Sequence, residues 1–258
     1  MVSVGVDAGS RAIKMVLMDT DTRAVAASAI ADQGVKGDEI AHKLFEDLLA
    51  ANGLGKPDVK EVVATGYGRN AIGFADTTIT EITCHARGVY HLLPNVRTIV
   101  EIGGQDSKVL VLDEGGAVRD FAMNDRCAAG TGRFLEVIAD RLGTDLSLLG
   151  ELAARSSTPA AISSMCIVFA ETEIIGLLSS GTPPEDIVAG VQNSIASRVA
   201  ALVGSKVVPP VAFTGGVALV AGMDRSLGTA LGHEVAIPPA PQFTGALGAA
   251  LLAAMRQN

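Results

Sequence analysis

The feature that most constrains this chain is an order of elements that occurs twice. Val2–Asp7 reads as a short apolar strand ending in an acid, Ala8–Arg11 as a tight turn and Ile13–Asp19 as the return strand. A third strand from Ala24 to Ala31 follows, then a helix from about Asp38 to Ala51 with Ile40, Leu44 and Leu48 on one face. A strand from Val59 to Ala64 closes on Thr65-Gly66-Tyr67-Gly68. Thr78–Ile82 is expected to add a strand and Cys84–Leu93 a helix stopped by Pro94. The order then restarts with the strand Thr98–Ile102, the turn Gly103–Ser107, the return strand Lys108–Asp113 and a third strand Val118–Met123. Val211–Gly216 repeats the Thr-Gly ending, and Thr244-Gly245-Ala246-Leu247-Gly248 matches Cys84-His85-Ala86-Arg87-Gly88. A period this long is a duplication of subdomains, not a solenoid. The expected boundaries are 1–95 and 96–258. The second copy carries an insertion at about 136–206, which holds a helix from Pro184 to Val203 with proline and acids in its first turn.

Composition removes several function classes. The chain has 258 residues and a net charge of −8 with no basic block, which argues against a nucleic-acid partner. Aromatics are 3% and Trp is absent, so base-stacking platforms are missing as well. No apolar run reaches transmembrane length, and the N-terminus reads directly as a strand instead of a signal peptide. Three cysteines form no disulfide pattern, so the reducing cytoplasm is the expected compartment.

The two acid-bearing turns are candidate phosphate loops. Backbone N–H groups of Gly9, Gly103 and Gly104 can cradle phosphate oxygens, and Ser10 adds a hydroxyl. Asp7 and Asp106, facing each other between the copies, are expected to hold Mg²⁺ largely through water. Gln105 is placed to orient an attacking water, and Lys14 to meet a phosphate. No Walker motif and no G-x-G-x-x-G is present, which argues against P-loop and Rossmann binding.

Two cysteines precede candidate helices. Cys127 lies just ahead of Gly130-Thr131-Gly132 and an apolar-periodic segment, and Cys166 starts Cys166-Ile167-Val168-Phe169-Ala170-Glu171, a helix running to about Leu178. Helix starts lower a thiol's pKa and favour a thiolate ligand. There is no C-x-x-C and no nearby His pair for zinc. Two thiolates per chain are half of a four-cysteine iron–sulfur set, which a symmetric dimer would complete. Cys84 reads as a core thiol, and Glu171 and Glu173 as acids of the first helical turn.

Asp7-Ala8-Gly9-Ser10, Ile102-Gly103-Gly104-Gln105-Asp106-Ser107-Lys108 and Thr214-Gly215-Gly216-Val217-Ala218 together resemble the superfamily of acetate and sugar kinases, heat-shock chaperone ATPases and actin. The resemblance implies an α/β fold of duplicated ribonuclease H-like subdomains with a nucleotide cleft between them. Asn124 to Phe134 and Cys166 to Glu171 are similar to the activators of (R)-2-hydroxyacyl-CoA dehydratases. The ATPase subunits of benzoyl-CoA reductase and the reductases of double-cubane cluster proteins are relatives. The resemblance covers nearly the whole chain.

This resemblance implies an ATPase that donates electrons at low potential. One 4Fe–4S cluster per homodimer would be held by Cys127 and Cys166 of each protomer. ATP or ADP with Mg²⁺ would contact Gly9, Ser10, Gly103 and Gly104, with Asp7 and Asp106 at the metal. Thr214, Gly215 and Gly216 would meet the adenosine side together with Gln242. Reduced ferredoxin or flavodoxin would supply the electron, and an iron–sulfur dehydratase or reductase would receive it. A hinge motion driven by hydrolysis would change the angle of the helices at the cluster, which would sit at four helix N-termini. Arg11 departs from the small or hydroxyl residue expected after Ser10. A small-molecule kinase of the same superfamily is the competing activity, and a non-catalytic nucleotide-binding scaffold the competing non-enzyme.

Overall fold

The computed structural model describes residues 1–164 and 166–256. In chain order the strands and helices are β1 (Val2–Ala8), β2 (Ala12–Asp19), β3 (Val25–Asp32), α1 (Gly37–Ala51), β4 (Val59–Thr65), β5 (Thr77–Thr78), α2 (Glu81–Leu92), β6 (Thr98–Ile102), β7 (Ser107–Leu112) and β8 (Val118–Asn124). They continue with α3 (Gly132–Leu142), α4 (Leu149–Ala153), α5 (Ile167–Ser179), α6 (Pro184–Val203), β9 (Val211–Thr214), α7 (Met223–Leu231), β10 (Val235–Ala236) and α8 (Thr244–Met255).

The duplication is visible in the sheets. One has the order β3-β2-β1-β4-β5, and the other, read from its far edge, β8-β7-β6-β9-β10. In each, an antiparallel hairpin is followed by a parallel partner, β4 on β1 and β9 on β6. The central strands β1 and β6 are buried along their whole length, as strands covered on both faces must be.

Contacts divide the chain into two compact units. The first comprises 1–96, 112–119 and 238–258, and the second 97–111 and 120–237. Two segments that the expected division at 95/96 puts in the second unit, 112–119 and 238–258, group with the first, and the return of the last is the larger change. The cause is α8, whose sequence Thr-Gly-Ala-Leu-Gly-Ala-Ala-Leu-Leu-Ala-Ala-Met is apolar or small all round. Such a helix must be enclosed on all sides. It is enclosed by β1, β2, β4 and α2. Gly88 of α2 lies against the Thr244 carbonyl and Gly248 of α8 against the Cys84 carbonyl, so no side chain fits at either crossing point.

Two element boundaries differ from expectation. Thr78–Ile82 is not a strand, because only Thr77–Thr78 pair with β4. The helix α2 instead starts at Glu81, since Thr80 caps it by accepting a hydrogen bond from the Thr83 amide. In the second unit, α3 to α7 surround one apolar core that includes Phe134, Leu135, Ile138, Ile187, Val191 and Phe213. Among the described residues no helix is long and apolar enough to cross a membrane.

Candidate functional site

The two acid-bearing turns have the same register. Ala8 pairs with Ile13 and Asp7 with Lys14, while Ile102 pairs with Ser107 and Glu101 with Lys108. The loops are thus of equal length, Gly9 to Ala12 and Gly103 to Asp106. Each is closed by the same bond: the Gly9 amide donates to the Ala12 carbonyl at 3.1 Å, and the Gly103 amide to the Asp106 carbonyl at 2.9 Å. Asp7 therefore corresponds to Glu101. Asp106 occupies the place of Ala12 and is an additional carboxylate of the second copy.

The neighbours of each acid repeat as well. Asp7 lies beside Thr65 in β4, and Glu101 beside Thr214 in β9. The next residues, Gly66 and Gly215, have φ of +89° and +91°. A Cβ would come within 2.5 Å of Asp7 Oδ1 at Gly66 and 2.7 Å of Glu101 Oε1 at Gly215. Both positions need glycine for conformation and for room.

The charges differ between the copies. Lys14 Nζ is 3.7 Å from Asp7 Oδ2. Lys108 Nζ is 2.9 Å from Glu101 Oε2 and 2.6 Å from Asp106 Oδ2, and its side chain is 3% exposed. A buried ammonium between two carboxylates fixes both of them. Gln105 is exposed at the tip of the turn, Gly103 and Gly104 are half-buried beside it, and Gly9 and Ser10 are half-buried in the first turn. Thr214 and Gly215 are buried while Gly216 is exposed. Gln242 belongs to the first unit with Asp7, whereas Thr214 to Gly216 belong to the second. In the first unit Gly245 also backs onto Asp7, and the buried His85 Nδ1 and Thr244 Oγ1 are 3.0 Å apart. Arg11 pairs with Asp32 at 3.2 Å.

The exposed Cys127 caps a single 3-10 turn, Ala128–Gly130, and α3 begins only at Gly132 with Thr131 as its cap. The α3 amides do not await an anion. Gly132 N donates to Gly103 O at 2.9 Å and Arg133 N to Gly104 O at 2.8 Å, with the Thr131 hydroxyl also reaching Gly104 O at 3.2 Å. Of the helix N-termini expected at the cluster, the start of α3 is bound to the second turn. Cys127 itself is held by Asn124, whose Oδ1 accepts from the Cys127 amide at 2.9 Å and whose Nδ2 donates to its carbonyl at 2.8 Å.

Cys166, also exposed, is the cap residue of α5. Val168 and Phe169, in the first turn of that helix, are 63% and 70% exposed. Glu171 pairs with Arg141 of α3. Glu173 reaches back to Ser163 and Ser164. Burial opposes its charge, but hydrogen bonds from both serines outweigh this and hold its carboxyl down at about 2. Neither acid is a mere first-turn charge. Cys84 is buried, and burial pushes its thiol up to about 12. Among the described residues no three His, Cys, Asp or Glu side chains gather into a metal-binding group.

Glu101 was missed in the sequence although a signal existed: in both copies an acid stands seven residues before a lysine, Asp7–Lys14 and Glu101–Lys108. Nothing local marks Glu173, whose bonds to Ser163 and Ser164 depend on the fold.

The family model described as the BadF/BadG/BcrA/BcrD ATPase family matches residues 4–253. The 2-hydroxyisocaproyl-CoA dehydratase activator of Clostridioides difficile is 46% identical over 255 residues, covering 98% of this chain and 95% of that protein. A benzoyl-CoA reductase component of Thauera aromatica is 32% identical over 268 residues, covering 100% of this chain and 94% of the relative. The solved structure of the Clostridium difficile activator with bound ADPNP matches with a TM-score of 0.92 at 45% identity, covering 98% of this chain and 94% of the other.

Proposed function

The chain belongs to the BadF/BadG/BcrA/BcrD ATPase family, and from that premise we propose that it couples ATP hydrolysis to the delivery of single electrons to an iron–sulfur partner. A (R)-2-hydroxyacyl-CoA dehydratase is the first choice of partner, supported by the 46% identical dehydratase activator, and a benzoyl-CoA reductase-type enzyme the second. One electron from reduced ferredoxin or flavodoxin enters and one leaves, while ATP and water become ADP and phosphate.

The observation that carries this reading is the presence on one chain of two acid turns and two exposed thiols, one ahead of the 3-10 turn before α3 and one capping α5. Gly9, Ser10, Gly103 and Gly104 offer backbone and hydroxyl donors to phosphate oxygens. Asp7 and Asp106 hold hydrated Mg²⁺, Lys14 neutralises phosphate charge, and Gln105 orients the attacking water. Thr214, Gly215, Gly216 and Gln242 serve the adenosine side. Glu101 joins this set as the residue that, through Lys108, fixes Asp106.

The donor set fits a 4Fe–4S cluster shared by two copies. Each chain supplies the exposed Cys127 and Cys166, and thiolates are the ligands such clusters take. When bound, the group stores one electron at low potential. The exposed Val168 and Phe169 next to Cys166 give a second copy an apolar surface to cover. The bonds from Thr131, Gly132 and Arg133 to the Gly103–Gly104 carbonyls tie the nucleotide turn to the helix after Cys127.

Iron and sulfide analysis of anaerobically purified protein tests the reading. About four irons per dimer are expected, lost in Cys127→Ala and Cys166→Ala while nucleotide still binds. Colourless protein, or a Cys166→Ala variant with full iron, would refute the ligand assignment.

A further inference from the structure

The segment leading into Cys166 is clamped from both sides by residues outside it. On one side stands Glu173, in the middle of α5. Its Oε1 accepts from the Ser163 amide at 2.9 Å and the Ser163 hydroxyl at 2.6 Å, and its Oε2 from the Ser164 amide at 2.9 Å. On the other side stands Arg198 of α6, whose Nη2 donates to the Ser164 carbonyl at 2.7 Å. Carboxylate and guanidinium thus take up the amides of Ser163 and Ser164 and the carbonyl of Ser164, and such charge-assisted bonds are the strong kind. Ser164 lies two positions before the thiol.

The same helix is tied to the other thiol's neighbourhood. Glu171 pairs with Arg141 near the end of α3. The start of α3 is bonded to Gly103 and Gly104. The two acids of α5 therefore point to two different anchors, one for its own lead-in segment and one for the helix that follows Cys127.

We infer that Glu173 and Arg198 are positioning residues for Cys166, holding its lead-in segment so that α5 and the thiol move as one body with α6. The inference rests on the reading of Cys166 as a cluster ligand. An unclamped lead-in would let Cys166 swing away from its neighbours, and the group it helps to hold would open. A mere contribution to fold stability would instead affect all regions alike. What separates the two is selectivity between Cys166 and Cys127, because Cys127 is held independently by Asn124.

Two measurements on Glu173→Ala, Glu173→Gln, Ser163→Ala and Arg198→Lys test the clamp. In iron-loaded dimer, release of iron to an iron(II) chelator should quicken by about tenfold or more in Glu173→Ala, which loses three charge-assisted hydrogen bonds, one of which alone corresponds to about that factor. Glu173→Gln, Ser163→Ala and Arg198→Lys should fall between it and the parent. In iron-free protein, iodoacetamide labelling read by peptide mass spectrometry should rise at Cys166 in the same order, with Cys127 labelled at the parental rate. Equal rates at Cys166 across the series, or a rise shared equally by Cys127, would overturn the clamp. The ligand reading fails separately, if Cys166→Ala keeps its iron. In that case the labelling ratio alone still decides whether Glu173 and Arg198 fix this thiol.

Discussion

Lys14 in the first unit meets one carboxylate at 3.7 Å and is 18% exposed, whereas Lys108 in the second meets two at 2.9 and 2.6 Å and is 3% exposed. The backbone around them is the same: equal loops, the same closing bond, the same Thr-Gly partner strand. The divergence lies in what was added to the second copy. Asp106 replaces the apolar Ala12, a helix is fastened to the Gly103 and Gly104 carbonyls, and both exposed cysteines lie within the same unit. A duplicated turn can thus keep its backbone in both copies and differ in what is fastened to it, a helix in the second.

The comparison is broken most directly at the lysines. Lys108→Ala leaves Glu101 and Asp106 without this cation between them, and should cost about 3–5 kcal/mol of stability, the usual penalty for removing one partner of a buried pair. Lys14→Ala removes a longer, partly solvated contact and should cost about 1 kcal/mol or less. Urea unfolding of the two variants checks this. Equal losses would mean that the second turn is no more committed than the first.

Hydrolysis sharpens the same contrast. Asp106→Ala and Gln105→Ala should each lower the ATP turnover number by roughly 100-fold, since positioning and electrostatics dominate phosphoryl transfer. Ser10→Ala, which removes one donor among several, should lower it by about tenfold or less. Steady-state phosphate release measures all three, and unchanged turnover in both second-turn variants would remove that turn from the chemistry.

Much of this was legible in the sequence. The doubled order of elements follows from alternation and turn residues, which are local signals, and both sheets have it. The start of α5 at Cys166 could likewise be read from the apolar run after it, whereas Cys127 stands ahead of a 3-10 turn and α3 begins only at Gly132. What escaped was set by register and by long reach. The correspondence of Asp7 with Glu101 instead of Asp106 depends on which residues pair across each hairpin. The return of 238–258 to the first unit depends on where an all-round apolar helix finds enclosure. Glu173 looked like a helix-dipole acid because its partners, Ser163 and Ser164, lie on a loop whose path no local pattern fixes.

The smallest expected effect concerns the third cysteine. With its thiol pushed up to about 12 from an ordinary 9.0 by burial, Cys84 stays protonated and shielded. Its folded value lies above its unfolded one, so the stability it contributes is complete below about pH 9 and is lost as pH rises towards 12. Iodoacetamide at about pH 8, below the ordinary thiol pKa, should label Cys127 and Cys166 of iron-free protein and leave Cys84 unmodified until the chain unfolds. Labelling of Cys84 at the rate of the other two would place it outside the core.

The central claim is that the nucleotide turn and the cysteine pair are coupled, and chelator access reports on it most directly. Iron-loaded dimer would be exposed to an iron(II) chelator with ADP, with a non-hydrolysable ATP analogue and without nucleotide. The bonds from α3 to Gly103 and Gly104 predict release rates that differ between the ADP and analogue states by about 5- to 150-fold, the range of ordinary coupling energies. Identical rates in all three states would contradict the account, leaving an ATPase and a metal site that merely share one chain.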